Sequence, residues 1–68
     1  MVIELNNVRE EFPTFDKMTV KQLLDEKKFS FKLLVVKING KLVPKDKYEE
    51  TYIHDGYKVM VLHLISGG

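Results

Sequence analysis

Apolar and polar residues alternate along this chain in a way that divides it into short β-prone stretches around one helical stretch. Residues 1–5 put Val2 and Glu4 on one side of an extended chain and Ile3 and Leu5 on the other, the period of a half-buried strand. Asn6-Asn7 follows, and asparagine tolerates the left-handed backbone that a two-residue hairpin turn requires. Residues 8–12 then form the returning strand, short and charged as sheet edges often are. Pro13 ends it, since proline has no N–H for a ladder. After Met18 the period changes to that of a helix. Val20, Leu23 and Leu24 form one apolar stripe, with Lys21, Gln22, Asp25 and Glu26 turned away. Thr19 and Gln22 have the spacing of a capping box, and Met18 and Leu23 that of a hydrophobic staple. Lys27 and Lys28 are expected to face the negative pole of the helix dipole. A helix of about two turns must rest on a sheet to persist.

Residues 33–38 make the strongest strand of the chain, and Asn39-Gly40 is the strongest short hairpin signal. Residues 41–43 return from that turn, and Pro44 stops them. Residues 45–52 are polar with scattered aromatics and have room for a single helical turn. Asp55-Gly56 marks another tight turn before residues 57–65, a long and almost wholly apolar strand that is expected to lie centrally in a sheet. The order of hairpin, helix, hairpin, turn and strand predicts an α+β fold, one sheet with its helix on one face. There is no internal repeat and no interdomain linker.

Composition narrows the chemistry. Sixty-eight residues make one small domain, 44% hydrophobic and 31% charged, which is globular rather than disordered. Cysteine is absent, which removes disulfides, thiolate nucleophiles and cysteine-type zinc sites. The longest apolar runs are too short to span a bilayer, and no secretory signal is visible at the start, so no membrane partner and a cytoplasmic location are expected. The net charge is only +1, although residues 27–47 hold seven lysines and one aspartate. A nucleic-acid site would interleave such charge with stacking aromatics. Phe29 and Phe31 alone offer that, at the spacing of one strand face, so a solvated basic face is expected and no nucleic-acid partner.

The usual catalytic arrangements are missing. Gly40-Lys41 lacks the glycine five positions earlier that a phosphate loop needs; Val35 stands there. His54 and His63 have no second ligand at metal-binding spacing, so no metal site is expected. Glu10-Glu11 and Glu49-Glu50 are adjacent in sequence, and neighbouring residues on a strand face opposite ways. No serine or threonine is placed beside a histidine as a nucleophile would be. These absences point away from an enzyme.

The other end of the chain reads differently. Ser66-Gly67-Gly68 follows directly on the last strand. At average glycine usage, two terminal glycines arise by chance in only about one chain in two hundred. A frayed end is the plain alternative. Yet a tail on a central strand projects from a fixed platform, which divides the chain into residues 1–65, a domain, and 66–68, a flexible functional tail. A main-chain carboxylate becomes electrophilic once joined to AMP. Residues without a Cβ pass through a narrow channel to an enzyme's ATP, and an unbranched terminal Cα leaves the carbonyl open to attack.

In its length, in Val36-Lys37-Ile38-Asn39-Gly40, Leu42-Val43-Pro44 and Asp55-Gly56, and in terminal Gly67-Gly68, the chain resembles the ThiS sulfur carriers of thiamin biosynthesis, within the ubiquitin-like β-grasp superfamily. Thr19-Val20 with Leu23-Leu24 matches the helix opening of that family. Tyr57 departs from it, standing where an acidic residue often follows the Asp-Gly turn. The resemblance implies a β-grasp fold, a mixed sheet of four to five strands with one main helix on one face. It implies that a ThiF-type enzyme, using ATP and magnesium, adenylates the Gly68 carboxylate. Sulfur from a cysteine-desulfurase relay then makes a thiocarboxylate that serves thiazole synthase, ThiG. Gly67 and Ser66 provide reach, and no cofactor is held by the chain itself. Aligned to ubiquitin from the terminal glycines, Val59 and Val61 point at the helix, while Met60, Leu62 and Leu64 line the open face as a docking patch. The opposing expectation is that the chain around residues 45–57 folds over them. Rival functions are the molybdopterin synthase small subunit MoaD, whose chains are usually longer, another pathway's sulfur carrier, a ubiquitin-like protein modifier, and an interaction module with an inert tail.

Overall fold

The computed structural model describes residues 1–29 and 34–63. Strands β1 (Val2–Leu5) and β2 (Val8–Glu11) form the first hairpin, and both turn residues take the left-handed backbone, Asn6 at φ 51° and Asn7 at φ 68°. A short strand β3 (Lys17–Thr19) leads directly into helix α1 (Val20–Glu26). Strands β4 (Leu34–Ile38) and β5 (Lys41–Val43) form the second hairpin about Asn39 (φ 50°) and Gly40 (φ 85°). A 3-10 turn at Lys45–Lys47, strand β6 (Tyr52–His54) and strand β7 (Lys58–His63) follow.

Five strands make one sheet in the order β2-β1-β7-β4-β5, and β3 pairs with β6 in a second, two-stranded sheet. The last strand is central, as its apolar run predicts. It lies parallel to β1, with Leu5 beside Val59, and antiparallel to β4, with Val36 beside Val61. The alternation along β7 separates two faces: Val59 and Val61 are buried, Met60 is half-buried and Leu62 is exposed. Ile3, Leu5, Val36, Ile38, Val43, Val59 and Val61 cluster with Val20, Leu23 and Leu24 of the helix in a single core.

The helix forms where the residues say it should. Gln22 N–H donates to Thr19 Oγ1 at 3.1 Å and Thr19 N–H donates to Gln22 Oε1 at 2.8 Å, a complete capping box. Met18 and Leu23, on either side of the cap, are both fully buried. The end differs from expectation. Lys27 is the C-cap and its Nζ reaches Glu10 of β2 at 2.7 Å instead of lying over the helix carbonyls, and Lys28 follows at φ 57°. Phe29 N–H donates to Leu24 O and Lys28 N–H to Asp25 O, closing a Schellman motif with lysine at its left-handed position. Phe29 packs against the core there, so it belongs to the helix end and not to a strand face. Phe31 and Leu33 lie outside the described residues.

The second sheet was not foreseen. Met18 of β3 stands opposite Ile53 of β6, and both are fully buried. Lys17 Nζ sits 4.7 Å from the Tyr52 ring centre across the same pair. The single turn expected within residues 45–52 is the 3-10 turn, but Tyr52 already belongs to β6. Tyr57 lies in the turn before β7, where its N–H donates to His54 O.

Candidate functional site

The two ends of the five-stranded sheet's central strand explain what it can present. At its start, β7 is clamped from both sides. Asn39 N–H donates to Lys58 O at 2.7 Å and accepts from Lys58 N–H at Oδ1, 2.9 Å. Asn6 N–H donates to Val59 O at 2.9 Å, and Asn6 Oδ1 accepts from Val61 N–H at 2.8 Å. Each turn asparagine thus adds a rung to the β7 ladder with its side chain after its own strand has turned away. Asp55-Gly56 fixes the entry: Val2 N–H donates to Asp55 Oδ1 at 2.7 Å and Gly56 N–H to Val2 O at 2.7 Å. Whatever follows His63 therefore leaves a strand that is held along its length. Leu64, Ser66, Gly67 and Gly68, all singled out from the sequence, lie outside the described residues.

The face of the sheet away from the helix carries Met60, Leu62 and Leu42, with Lys37 between Leu42 and Met60. Met60 pairs with Lys37 and Leu62 with Val35 across β7 and β4, and Leu42 of β5 pairs with the same Lys37. Leu62 is 42% exposed and Leu42 63% exposed. The expectation that residues 45–57 fold over this face is not met. That segment packs on the helix side, where Val20 N–H donates to Thr51 O and Lys21 N–H to Tyr48 O at 3.0 Å each. Met60 and Leu62 stand where the ubiquitin alignment puts them. Leu42 joins them, and sequence reasoning passed over it because a three-residue edge strand gives no alternation long enough to read.

The remaining candidates for chemistry are spread out. Glu10 binds Lys27, Glu11 lies 3.4 Å from Arg9, and Glu50 lies 3.0 Å from Lys47. His54 packs edge-on against Tyr57 with ring centres 5.4 Å apart. Among the described residues no group of three or more His, Asp or Glu side chains is placed to hold a metal ion. Among them, too, no helix is long and apolar enough to cross a membrane.

A helix laid across a mixed five-stranded sheet, with the chain leaving from the central strand, defines the ubiquitin-like β-grasp class. Within it the chain belongs to the ThiS family, whose family model matches residues 2–68. The chain is similar to the crystal structure of a thiamine biosynthesis protein (ThiS) from Geobacter metallireducens, with a TM-score of 0.90 at 23% identity over 100% of both chains. It is also similar to an NMR solution structure of a thiamine biosynthesis protein from Geobacter metallireducens, with a TM-score of 0.82 at 23% identity over 100% of this chain and 88% of that one. A comparison with the curated proteins finds no match in sequence.

Proposed function

We propose that the protein is a sulfur carrier of thiamin biosynthesis whose reacting group is the main-chain carboxylate of Gly68. What supports this reading is the family match, which runs over residues 2–68 and so includes Gly67-Gly68. The carboxylate oxygen attacks the α-phosphorus of ATP on a ThiF-type enzyme; pyrophosphate leaves and an acyl adenylate forms. A sulfur nucleophile, delivered by a cysteine-desulfurase relay, then attacks the carbonyl carbon and AMP departs, leaving a thiocarboxylate. A persulfide donor also needs a thiol reductant to cleave its S–S bond; free sulfide does not. The thiocarboxylate passes its sulfur to thiazole synthase, ThiG. In this cycle the chain is a co-substrate, ATP and magnesium are used by its partner, and Ser66 and Gly67 supply reach without a bulky Cβ near the reacting carbonyl.

Docking falls to the open face. Met60 and Leu62, with Leu64 beyond the described residues, form the patch that the activating enzyme covers, and Leu42 extends it. The deciding experiment incubates the protein with a ThiF-type enzyme, ATP, magnesium and sulfide, followed by intact mass spectrometry. The expected product carries one sulfur in place of one oxygen at Gly68. Removal of Gly68 abolishes the product and leaves the circular dichroism spectrum and melting temperature unchanged. Conjugates of higher mass would instead identify a protein modifier, and an unchanged mass with wild-type protein would end the carrier reading.

A further inference from the structure

A second feature lies at the edge of the sheet, around the corner from the open face. A groove of about 440 Å³ runs beside β5, lined by Lys41, Leu42, Pro44, Lys47, Tyr52 and Tyr57 among others. Its volume falls within the range of about 300–1,000 Å³ typical of ligand sites. Among the described residues no carboxylate lines it. Lys47 shares its charge with exposed Glu50, whereas Lys41 has no ion-pair partner among the described residues. The strands on this side, β4 and β5, carry lysine and no acidic residue.

The backbone of β5 says what shape fits. The two-residue turn makes Ile38 and Lys41 the closing hydrogen-bonded pair, so the next pair, Lys37 and Leu42, directs the Leu42 N–H and C=O away from β4. Among the described residues neither group has a partner. Side chains of an added strand alternate between faces. One set would enter the groove against Tyr52 and Tyr57, and the next would lie over Leu42 and the open-face patch. A strand-like occupant therefore uses both surfaces at once.

We propose that this groove receives an extended acidic segment of the activating enzyme, which pairs with Leu42 and meets Lys41 and Lys47 with carboxylates. This rests on the carrier reading given above. It adds a second foothold that sets how tightly the enzyme holds its carrier, separate from the chemistry at Gly68.

The test is steady-state AMP release by a ThiF-type enzyme supplied with ATP, magnesium and sulfide at two salt concentrations, with the carrier concentration varied. The double variant Lys41→Glu/Lys47→Glu is expected to raise KM for the carrier about tenfold, with kcat within about twofold and a weaker salt dependence. Lys21→Glu makes half that charge change, on the helix, and is expected to leave KM unchanged. Circular dichroism verifies that each variant is folded, and Lys41→Gln provides a milder second measurement, with a smaller rise in KM. An unchanged KM in the folded double variant overturns the inference, as does an equal rise with Lys21→Glu. Amide shifts at Leu42 and Tyr52 on adding AMP alone would overturn it in favour of a nucleotide site. Failure of wild-type protein to be adenylated removes the carrier reading and this inference together, whereas wild-type turnover with insensitive groove variants removes the inference only.

Discussion

At the scale of single residues, backbone conformation decides more here than side-chain chemistry. Lys28 occupies the left-handed position that ends α1, at φ 57°, where a Cβ costs roughly 1–2 kcal/mol and glycine fits freely. Replacing it with glycine relieves that cost but adds freedom to the unfolded chain. Lys28→Gly is accordingly expected to stabilise the fold by about 0.5–1 kcal/mol, read as a higher urea midpoint at unchanged slope. Asn6 shows how much one residue can carry. The sequence announces its turn, because asparagine tolerates positive φ. It does not announce that Oδ1 would meet the Val61 N–H, since that donor lies 55 residues away in the chain. The two roles separate experimentally. Asn6→Gly keeps the turn and loses the acceptor, an expected loss of about 1 kcal/mol. Asn6→Ala loses both, for about 2 kcal/mol or more. An unchanged stability of Asn6→Gly in chemical denaturation would show that the side-chain bond to β7 contributes nothing.

At the scale of elements, the strands divide into those legible alone and those that are not. β1, β4 and β7 show alternation or apolar runs long enough to read, and α1 is marked at its start by Thr19, Gln22, Met18 and Leu23. β3 and β6 are three residues each, and their only strong signals, Met18 and Ile53, look like isolated apolar residues until they face one another. A strand that short is created by its partner, because its ladder bonds exist only once distant parts of the chain meet. The two faces of β7 give a further prediction. Val61→Ala opens space in the core and is expected to cost about 1–3 kcal/mol, measured by thermal melting. Leu62→Ser, on the open face, is expected to change stability by less than about 0.5 kcal/mol while raising KM in the adenylation assay.

For the molecule as a whole, the segment containing Tyr48 links the 3-10 turn to the core, and that ring is only 9% exposed. Burial pushes the Tyr48 phenol above its usual value near 10.0, since the charged form is poorly solvated there. The folded state thus holds its proton to higher pH than the unfolded chain does. The associated stability is fully present below about pH 10 and is lost as pH rises toward the raised folded value. Denaturation midpoints measured between pH 9 and 11 are expected to fall for the wild type. In Tyr48→Phe the slope is expected to be shallower.

The sequence by itself determined the local events: where the helix opens, which turns take positive φ, that the last strand is central, and that the chain closes on two glycines. Each depends on residues a few positions apart, so short-range sterics and hydrogen bonding suffice. The assembly of residues distant in sequence was decided by tertiary structure alone. It made Asn6 and Asn39 clamps on β7, brought Met18 against Ile53, and sent residues 45–54 to the helix side so that Leu62 and Leu42 stand exposed, with Met60 half-buried on the same face. Those outcomes turn on which surfaces meet when the sheet closes, and spacing along the chain carries no record of that.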